Sequence, residues 1–349
     1  MAWNEVYIMI VPACPAIALD MEGDKNMESA SEFVESRRPS LTDVEGILVG
    51  HFTLPRRPTG CTVITSESPL IAGVDVRGGA PGTRETDLLR AEGAVAGINA
   101  IFLSGGSAFG LDVGTGVARF LEEKGVGFRA SGIIVPIVCG AILFDLSLGD
   151  PTIRPDAEAG YEAARAAGPA PVLEGNVGAG AGCTVGKLSG FGRALRGGLG
   201  SWSWCRADGL RVGTLVAVNC VGDVRDPARG TIVAGARTSE GKGFFDCMAQ
   251  LRRGWRPEPP IGGNTVIGVI ATNATLDKAC CTRVAQMAHD AVARCINPAH
   301  TLFDGDTIFA VATGRHQIEC NPINVSVIGA LAADVLATAI LRGCQAAGI

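Results

Sequence analysis

From Val44 onward the chain alternates short apolar runs with longer stretches in which apolar residues return every three or four positions. The runs Cys61–Thr65, Leu70–Val76 and Ala100–Leu103, bounded by Gly or Pro, predict strands. A further run, Val266–Ala271, predicts a core strand that opens at Thr265. Helical spacing predicts a helix over Ser107–Lys124, with Leu111, Val117, Ala118 and Leu121 on one face and Gly125 as its stop. A second helix is predicted over Leu276–Cys295, with Thr275 as its N-cap. A third, Val327–Leu341, is apolar nearly all round, the pattern of a helix buried between layers. Strands mixed with long helices and no tandem repeat predict an α/β or α+β sandwich.

Two stretches depart from this rhythm. Residues 1–42 mix apolar, acidic and Met-rich pieces and end in a charged segment, Glu32–Arg38. They read as a poorly ordered N-terminal extension ahead of a single domain spanning 43–349. Tyr7–Leu19 follows Glu5, carries no basic residue and holds Pro12 and Pro15, which argues against a secretory signal. Gly132–Phe144 is interrupted by Pro136 and is shorter than the ~20 residues of a membrane span. The second departure, Arg237–Gly263, is rich in Gly, Pro and charge and predicts a mobile surface linker leading directly to Thr265.

Composition narrows the class. Of 349 residues 47% are hydrophobic and 19% charged, which excludes a disordered chain and allows a sizeable core. A net charge of −5 with scattered Lys and Arg argues against nucleic acid as a partner. The 48 glycines follow no Gly-X-Y period, so they mark tight turns and close backbone approaches. The 12 cysteines include no Cys-x-x-Cys, and His51, His289, His300 and His316 form no ligand pattern. The expectation is a reduced, cytoplasmic chain without disulfides, metal or organic cofactor.

Two motifs are set aside. Gly175–Lys187 is Gly-rich, but Ala181 and Leu188 stand where a phosphate loop needs Gly and Ser or Thr. Ser107 in Ser104–Gly110 lacks the second Gly of a nucleophile elbow, since Phe109 occupies it, and reads instead as a helix N-cap. A better constellation joins Asn264-Thr265 to Asp304-Gly-Asp306. A Thr hydroxyl becomes a nucleophile when a base takes its proton, and a free α-amine on the same residue can serve if the chain is cut before Thr265. Two aspartates two apart on a strand would share a face, and their proximity would keep one protonated. The competing reading of Asp-Gly-Asp is a solvated turn.

Asn219, Asn264-Thr265, Asp304–Val311 and Val76–Leu89 (Val-Arg-Gly-Gly-Ala-Pro-Gly-Thr-Arg-Glu-Thr-Asp-Leu-Leu) together resemble the L-aminopeptidase/D-esterase family. That family includes β-peptidyl aminopeptidases and the nylon (6-aminohexanoate) oligomer hydrolase. The resemblance runs from about residue 44 to the C-terminus. It implies a four-layer αββα sandwich like that of N-terminal nucleophile hydrolases, and a precursor that cuts itself into 1–264 and 265–349. It implies Thr265 as nucleophile, Asn264 as donor of the scissile carbonyl, and Asp304 with Asp306 as the paired positions after the strand. Lys187 would favour deprotonation of the Thr hydroxyl, and Asn219 would donate to the oxyanion. Phe144 stands where several members have a substrate-binding Tyr, and Ser107 is placed with it at the substrate site. Asn-Thr and Asp-Gly-Asp resemble the nylon branch, whereas Arg-Gly-Gly-Ala-Pro-Gly-Thr-Arg-Glu-Thr resembles the aminopeptidases.

The expected function is amide hydrolysis of a small peptide or oligoamide by a homo-oligomer, a tetramer by resemblance, with no membrane partner. Acyl transfer of the ornithine-acetyltransferase type and an uncleaved binding protein of the same fold are the alternatives.

Overall fold

The computed structural model describes residues 39–257 and 263–348. The strands used below are β1 (Leu48–Thr53), β2 (Gly60–Val76), β3 (Ile98–Ser104), β4 (Val138–Ile142), β5 (Gly198–Cys205), β6 (Arg211–Asn219), β7 (Thr265–Ala274) and β8 (Thr307–His316). The helices are α1 (Val113–Glu123), α2 (Ala157–Arg165), α3 (Cys247–Arg252), α4 (Lys278–Cys295) and α5 (Pro322–Ala346).

The two runs predicted on either side of Pro69 are one strand, β2. Its first half, from Cys61 to Thr65, pairs antiparallel with β1 and β3, and its second half, from Ile71 to Val76, pairs antiparallel with β8. Register shifts between Thr65 and Leu70, where Pro69 cannot donate to a ladder. The strand order β5-β6-β7-β8-β2-β3-β4 thereby folds into two sheets that share β2. Alternate residues separate three apolar layers. Ile64, Ile101, Leu103, Leu215, Ile267, Val269, Phe309 and Val311 meet between the sheets. Val63, Ala100 and Phe102 face α1 and α2, and Val216, Val266, Ile270 and Ile308 face α4 and α5. This is the αββα arrangement that the resemblance implied.

Helix ends differ from expectation in instructive ways. Ser107–Asp112 is a 3-10 turn ahead of α1, Gly106 holds the cap position, and Ser107 sits at φ 55 with its N–H on the Leu143 carbonyl at 2.9 Å. Ser107 therefore does not cap the helix with its side chain. α4 is capped by Asp277, whose carboxylate accepts the Cys280 N–H, while the Thr275 hydroxyl donates to the His316 carbonyl at 3.4 Å. α5 extends beyond its predicted span at both ends, with Asn321 as cap and Pro322 in the first turn. By length and composition α5 is apolar enough to cross a membrane, yet it buries Ile328, Leu336 and Ile340 in the core beside α4.

The Gly- and Pro-rich stretch before Thr265 is not wholly a mobile linker. The buried Asp223 carboxylate accepts the N–H groups of Ala236 at 2.9 Å and Cys247 at 2.8 Å. α3 is docked there, and Cys247, Phe245, Leu251 and Trp255 pack on Leu188, Val221 and Ala236. Residues 258–262 lie outside the described residues. At the other end, Ser40 caps a 3-10 turn, Leu41–Asp43, and Leu41 is buried between the sheets. The folded chain thus includes positions ahead of Asp43, and residues 1–38 lie outside the described residues.

Candidate active site

β6 and β7 pair antiparallel with Asn219 opposite Thr265, and β7 runs parallel to β8. The end of β6 and the segments entering β7 and β8 therefore meet at one edge. Leu215 and Ala217 on β6 and Ile267 and Val269 on β7 point between the sheets. Asn219 and Thr265, two residues beyond each pair, share that face at its mouth. Asn219, Asn264, Thr265, Asp304, Asp306 and Lys187 are all buried, none above 5% exposure.

The chain is continuous through Asn264–Thr265. The Thr265 hydroxyl donates to the Asn264 carbonyl oxygen, which also accepts the Gly305 N–H at 3.0 Å. Asn219 Nδ2 donates to the carbonyls of Phe144 at 2.9 Å and Gly263 at 3.2 Å. Its Oδ1 accepts from the Thr184 N–H at 3.0 Å and from Lys187 Nζ at 2.8 Å. Lys187 Nζ also donates to the carbonyls of Asn219 and Gly263, both at 2.9 Å. Lys187 and Asn219 thus grip the carbonyl one residue before Asn264, not the Thr265 hydroxyl itself. Burial lowers the Lys187 ammonium to about 8.

The aspartates precede β8 instead of lying on it. β8 begins at Thr307, and Asp304 bridges to Asn264 as a parallel partner in the irregular segment before it. Strand alternation therefore does not orient the pair; individual hydrogen bonds do. Asp304 Oδ2 accepts the Thr301 N–H at 2.8 Å and its hydroxyl at 2.6 Å. Asp306 Oδ1 accepts the Val266 N–H at 2.7 Å, directly after Thr265. Burial first, then the Asp306 charge, raise Asp304 to about 6.

The Val76–Leu89 motif has a structural task here. The N–H groups of Arg77 and Gly78 donate to the Asp306 carbonyl, that of Gly79 to Thr301 and that of Ala80 to Asp304. A Cβ on Gly78 would fall 2.2 Å from the Asp304 carbonyl oxygen, so this close approach requires glycine. Phe144 acts through its carbonyl on Asn219 and through its ring, which lies against Gly263. Gly263 has φ 83, and a Cβ there would fall 2.3 Å from that ring. Ser107 joins this region through its N–H on Leu143, one residue before Phe144.

The sequence reading missed three contributors: the Gly305 N–H, the Arg77–Ala80 backbone and His300, whose Nδ1 lies 2.8 Å from Asp306 Oδ2. It also missed that two of the four histidines are neighbours, the rings of His289 and His300 meeting edge to face at 5.0 Å. At a separate place, Asp277, Cys280 and Cys320 come together, with the two Sγ atoms 2.8 Å apart. Only chain folding, not motif spacing, reveals either cluster.

The model of peptidase family S58 matches residues 39–348. An uncharacterized aminopeptidase of Mycobacterium tuberculosis (strain ATCC 25618 / H37Rv) is 42% identical over 327 residues, covering 87% of this chain and 93% of that protein. A 6-aminohexanoate-oligomer endohydrolase of Kocuria sp. (strain KY2) is 30% identical over 331 residues, covering 87% of this chain and 85% of that protein. Among solved structures, a Burkholderia sp. beta-aminopeptidase superposes with a TM-score of 0.66 at 24% identity, covering 89% of this chain and 87% of that one. The L-aminopeptidase D-Ala-esterase/amidase of Ochrobactrum anthropi, described as a variant of the Ntn hydrolase fold, also gives 0.66, at 20% identity over 89% and 88% of the two chains.

Proposed function

The chain belongs to peptidase family S58 and is a hydrolase acting on amide bonds; from that premise we propose that it cuts itself between Asn264 and Thr265 and then uses Thr265 as an N-terminal nucleophile. The observation that carries the reading is the Thr265 hydroxyl on the carbonyl of the residue before it, at the opening of a buried strand.

In maturation the hydroxyl attacks the Asn264 carbonyl carbon, and the C–N bond breaks as the peptide nitrogen takes up the hydroxyl's proton, which completes an N→O shift to an ester on Thr265; water then hydrolyses that ester, leaving a carboxylate on Asn264 and a free amine and hydroxyl on Thr265. The Gly305 N–H already contacts the carbonyl oxygen on which negative charge develops. Lys187 and Asn219 immobilise Gly263, and the nearby ammonium favours loss of the hydroxyl proton. The Asn264 side-chain amide is buried with neither its nitrogen nor its oxygen hydrogen-bonded among the described residues. Such groups cost about 1–3 kcal/mol each, a strain that release of the segment relieves. In turnover the new α-amine takes the Thr265 proton and the hydroxyl attacks the substrate carbonyl. Asn219 Nδ2, no longer engaged by Gly263, donates to the oxyanion, and water clears the acyl-enzyme.

Mass spectrometry of the purified protein tests this directly. Fragments of 264 and 85 residues are expected from the 349-residue chain, and Thr265→Ala is expected to remain whole and inactive. An intact wild-type chain with full activity refutes the nucleophile. The acidic pair favours substrates carrying a cationic amine, and a panel of α-peptide, β-peptide, D-amino-acid amide and oligoamide decides the class. We further propose a cytoplasmic homotetramer, and a monomer on sizing at micromolar concentration overturns the assembly.

A further inference from the structure

We propose that His300 is a positioning residue for Asp306: it holds one carboxylate oxygen so that the other fixes the strand at the nucleophile. The inference rests on the reading of Thr265 as nucleophile.

Asp306 is held at both oxygens. Oδ2 accepts the His300 backbone N–H at 3.2 Å and faces His300 Nδ1 at 2.8 Å, while Oδ1 accepts the Val266 N–H at 2.7 Å. An oxygen that already accepts a backbone N–H and lies this close to a ring nitrogen needs that nitrogen to donate. His300 brings both its own donors to one oxygen by adopting φ 55, a left-handed conformation uncommon for a residue other than glycine. Such a backbone persists where surrounding contacts over-determine it, and it clusters at functional sites.

The ring is backed by α4, which is itself held from β2. His289 on α4 meets it edge to face, and His289 Nε2 lies 3.0 Å from the Asp75 carbonyl on β2. Asp75 is paired in turn with Arg77, which also approaches Asp290. Burial lowers His289 to about 4, so at neutral pH it presents an uncharged edge to His300. His300 Nε2 is buried without a hydrogen bond among the described residues, which leaves Nδ1 as the ring atom with an assigned partner. Among the described residues, Asp306 and His289 stand against the ring, Asp75, Arg77 and Asp290 lie behind His289, and Asp304, with Lys187 bearing on it, lies beyond Asp306. Through Asp306 the ring also bears on Asp304, because the Asp306 charge is one cause of the raised proton affinity of Asp304.

The test compares His300→Ala with His300→Asn in the full chain. Asn tolerates the left-handed backbone, and its side-chain amide can place a donor near the site of Nδ1. Three readouts are taken: the fraction processed with time, thermal melting, and the pH profile of kcat/KM on p-nitroanilides of unprotected L-, D- and β-amino acids. His300→Ala is expected to slow processing and turnover on the order of tenfold or more. Losing a donor disfavours the ionised pair, so the acidic limb is expected to move up by about one pH unit. His300→Asn is expected to restore both toward wild type. A His300→Ala protein with an unshifted limb, whether or not its melting temperature falls, overturns the proposal, as does an Asn variant no better than Ala. Failure of the underlying reading looks different: wild type stays whole yet hydrolyses, and the His300 assignment falls with Thr265. Normal processing in wild type with an unshifted Ala variant removes His300 alone.

Discussion

The layer between the two sheets has an interior and a mouth, built on the same strands and filled by opposite means. In the interior, Ile267, Val269, Phe309 and Val311 are buried among apolar neighbours, where packing is non-directional. Two residues nearer the strand ends, Asn219 and Thr265 are just as buried but polar, and each is held by named donors and acceptors. The interior tolerates a change of shape at a graded cost. The mouth does not, because removing one partner leaves another buried group unpaired, and it is there that the proposed chemistry is placed.

The largest break in that comparison is expected at Asn219. Its side-chain hydrogen bonds join Phe144, Gly263, Thr184 and Lys187, so truncation leaves Lys187 alone of these on the Gly263 carbonyl before Thr265. Asn219→Ala is expected to lower kcat by about 100- to 1000-fold, the usual cost of one oxyanion donor, and to slow processing. Single-turnover kinetics and the fraction cleaved measure both. Unchanged processing with lost turnover would sharpen the picture, because it would assign the maturation oxyanion to the Gly305 N–H alone.

A second break is proton-linked and belongs to the mouth only. Burial and the Asp306 charge raise Asp304 from its ordinary 3.8 to about 6 in the folded chain. The folded state therefore binds this proton more tightly than the unfolded one. The resulting stabilisation is fully present below about pH 4 and is lost as pH rises through about 6. In a Thr265→Ala background, in which no self-cleavage is expected, the parent is expected to lose on the order of 3 kcal/mol relative to Asp304→Asn across that window. Parallel pH–stability curves for the two proteins would contradict the shift.

Residue type made the interior legible, and so did part of the mouth. Val266–Ala271 read as a strand, and Asn264-Thr265 and Asp304-Gly-Asp306 stood out because few residue types supply nucleophiles and paired acids. Their partners were not legible, because those contacts span long separations. Lys187 reaches Gly263 and not the Thr hydroxyl, and the Arg77–Ala80 backbone reaches residues 301–306. The linker was misread for a related reason. Its Gly and Pro content masked Phe245, Cys247, Leu251 and Trp255, whose burial depends on Asp223, an anchor more than twenty residues upstream of Cys247 and α3. The cap of α4 shows the same limit locally. Thr275 and Asp277 are both acceptable cap types, and the course of the chain leaving β7 at Ala274 selected Asp277.

The smallest effect is expected at Ile267, and it tests the boundary itself. Ile267 is fully buried, two residues from Thr265 on the same face, with Ala217 and Thr307 as its strand partners. If burial next to the proposed nucleophile were enough to couple a residue to the chemistry, Ile267→Val would impair processing. The contacts argue otherwise. Thr265 is fixed by the hydrogen bonds of Asn264, Gly305 and the Asp306–Val266 pair, none of which involves the Ile267 side chain. Removing one methylene costs about 0.5–1.5 kcal/mol of stability through lost contacts and a small void, while the backbone ladder on both sides stays intact. The expected result is a melting temperature lowered by a few degrees with an unchanged cleavage rate. A cleavage rate that falls in step with stability would show that the mouth draws its geometry from the apolar layer behind it, and would move the boundary at least one residue pair deeper into the sandwich.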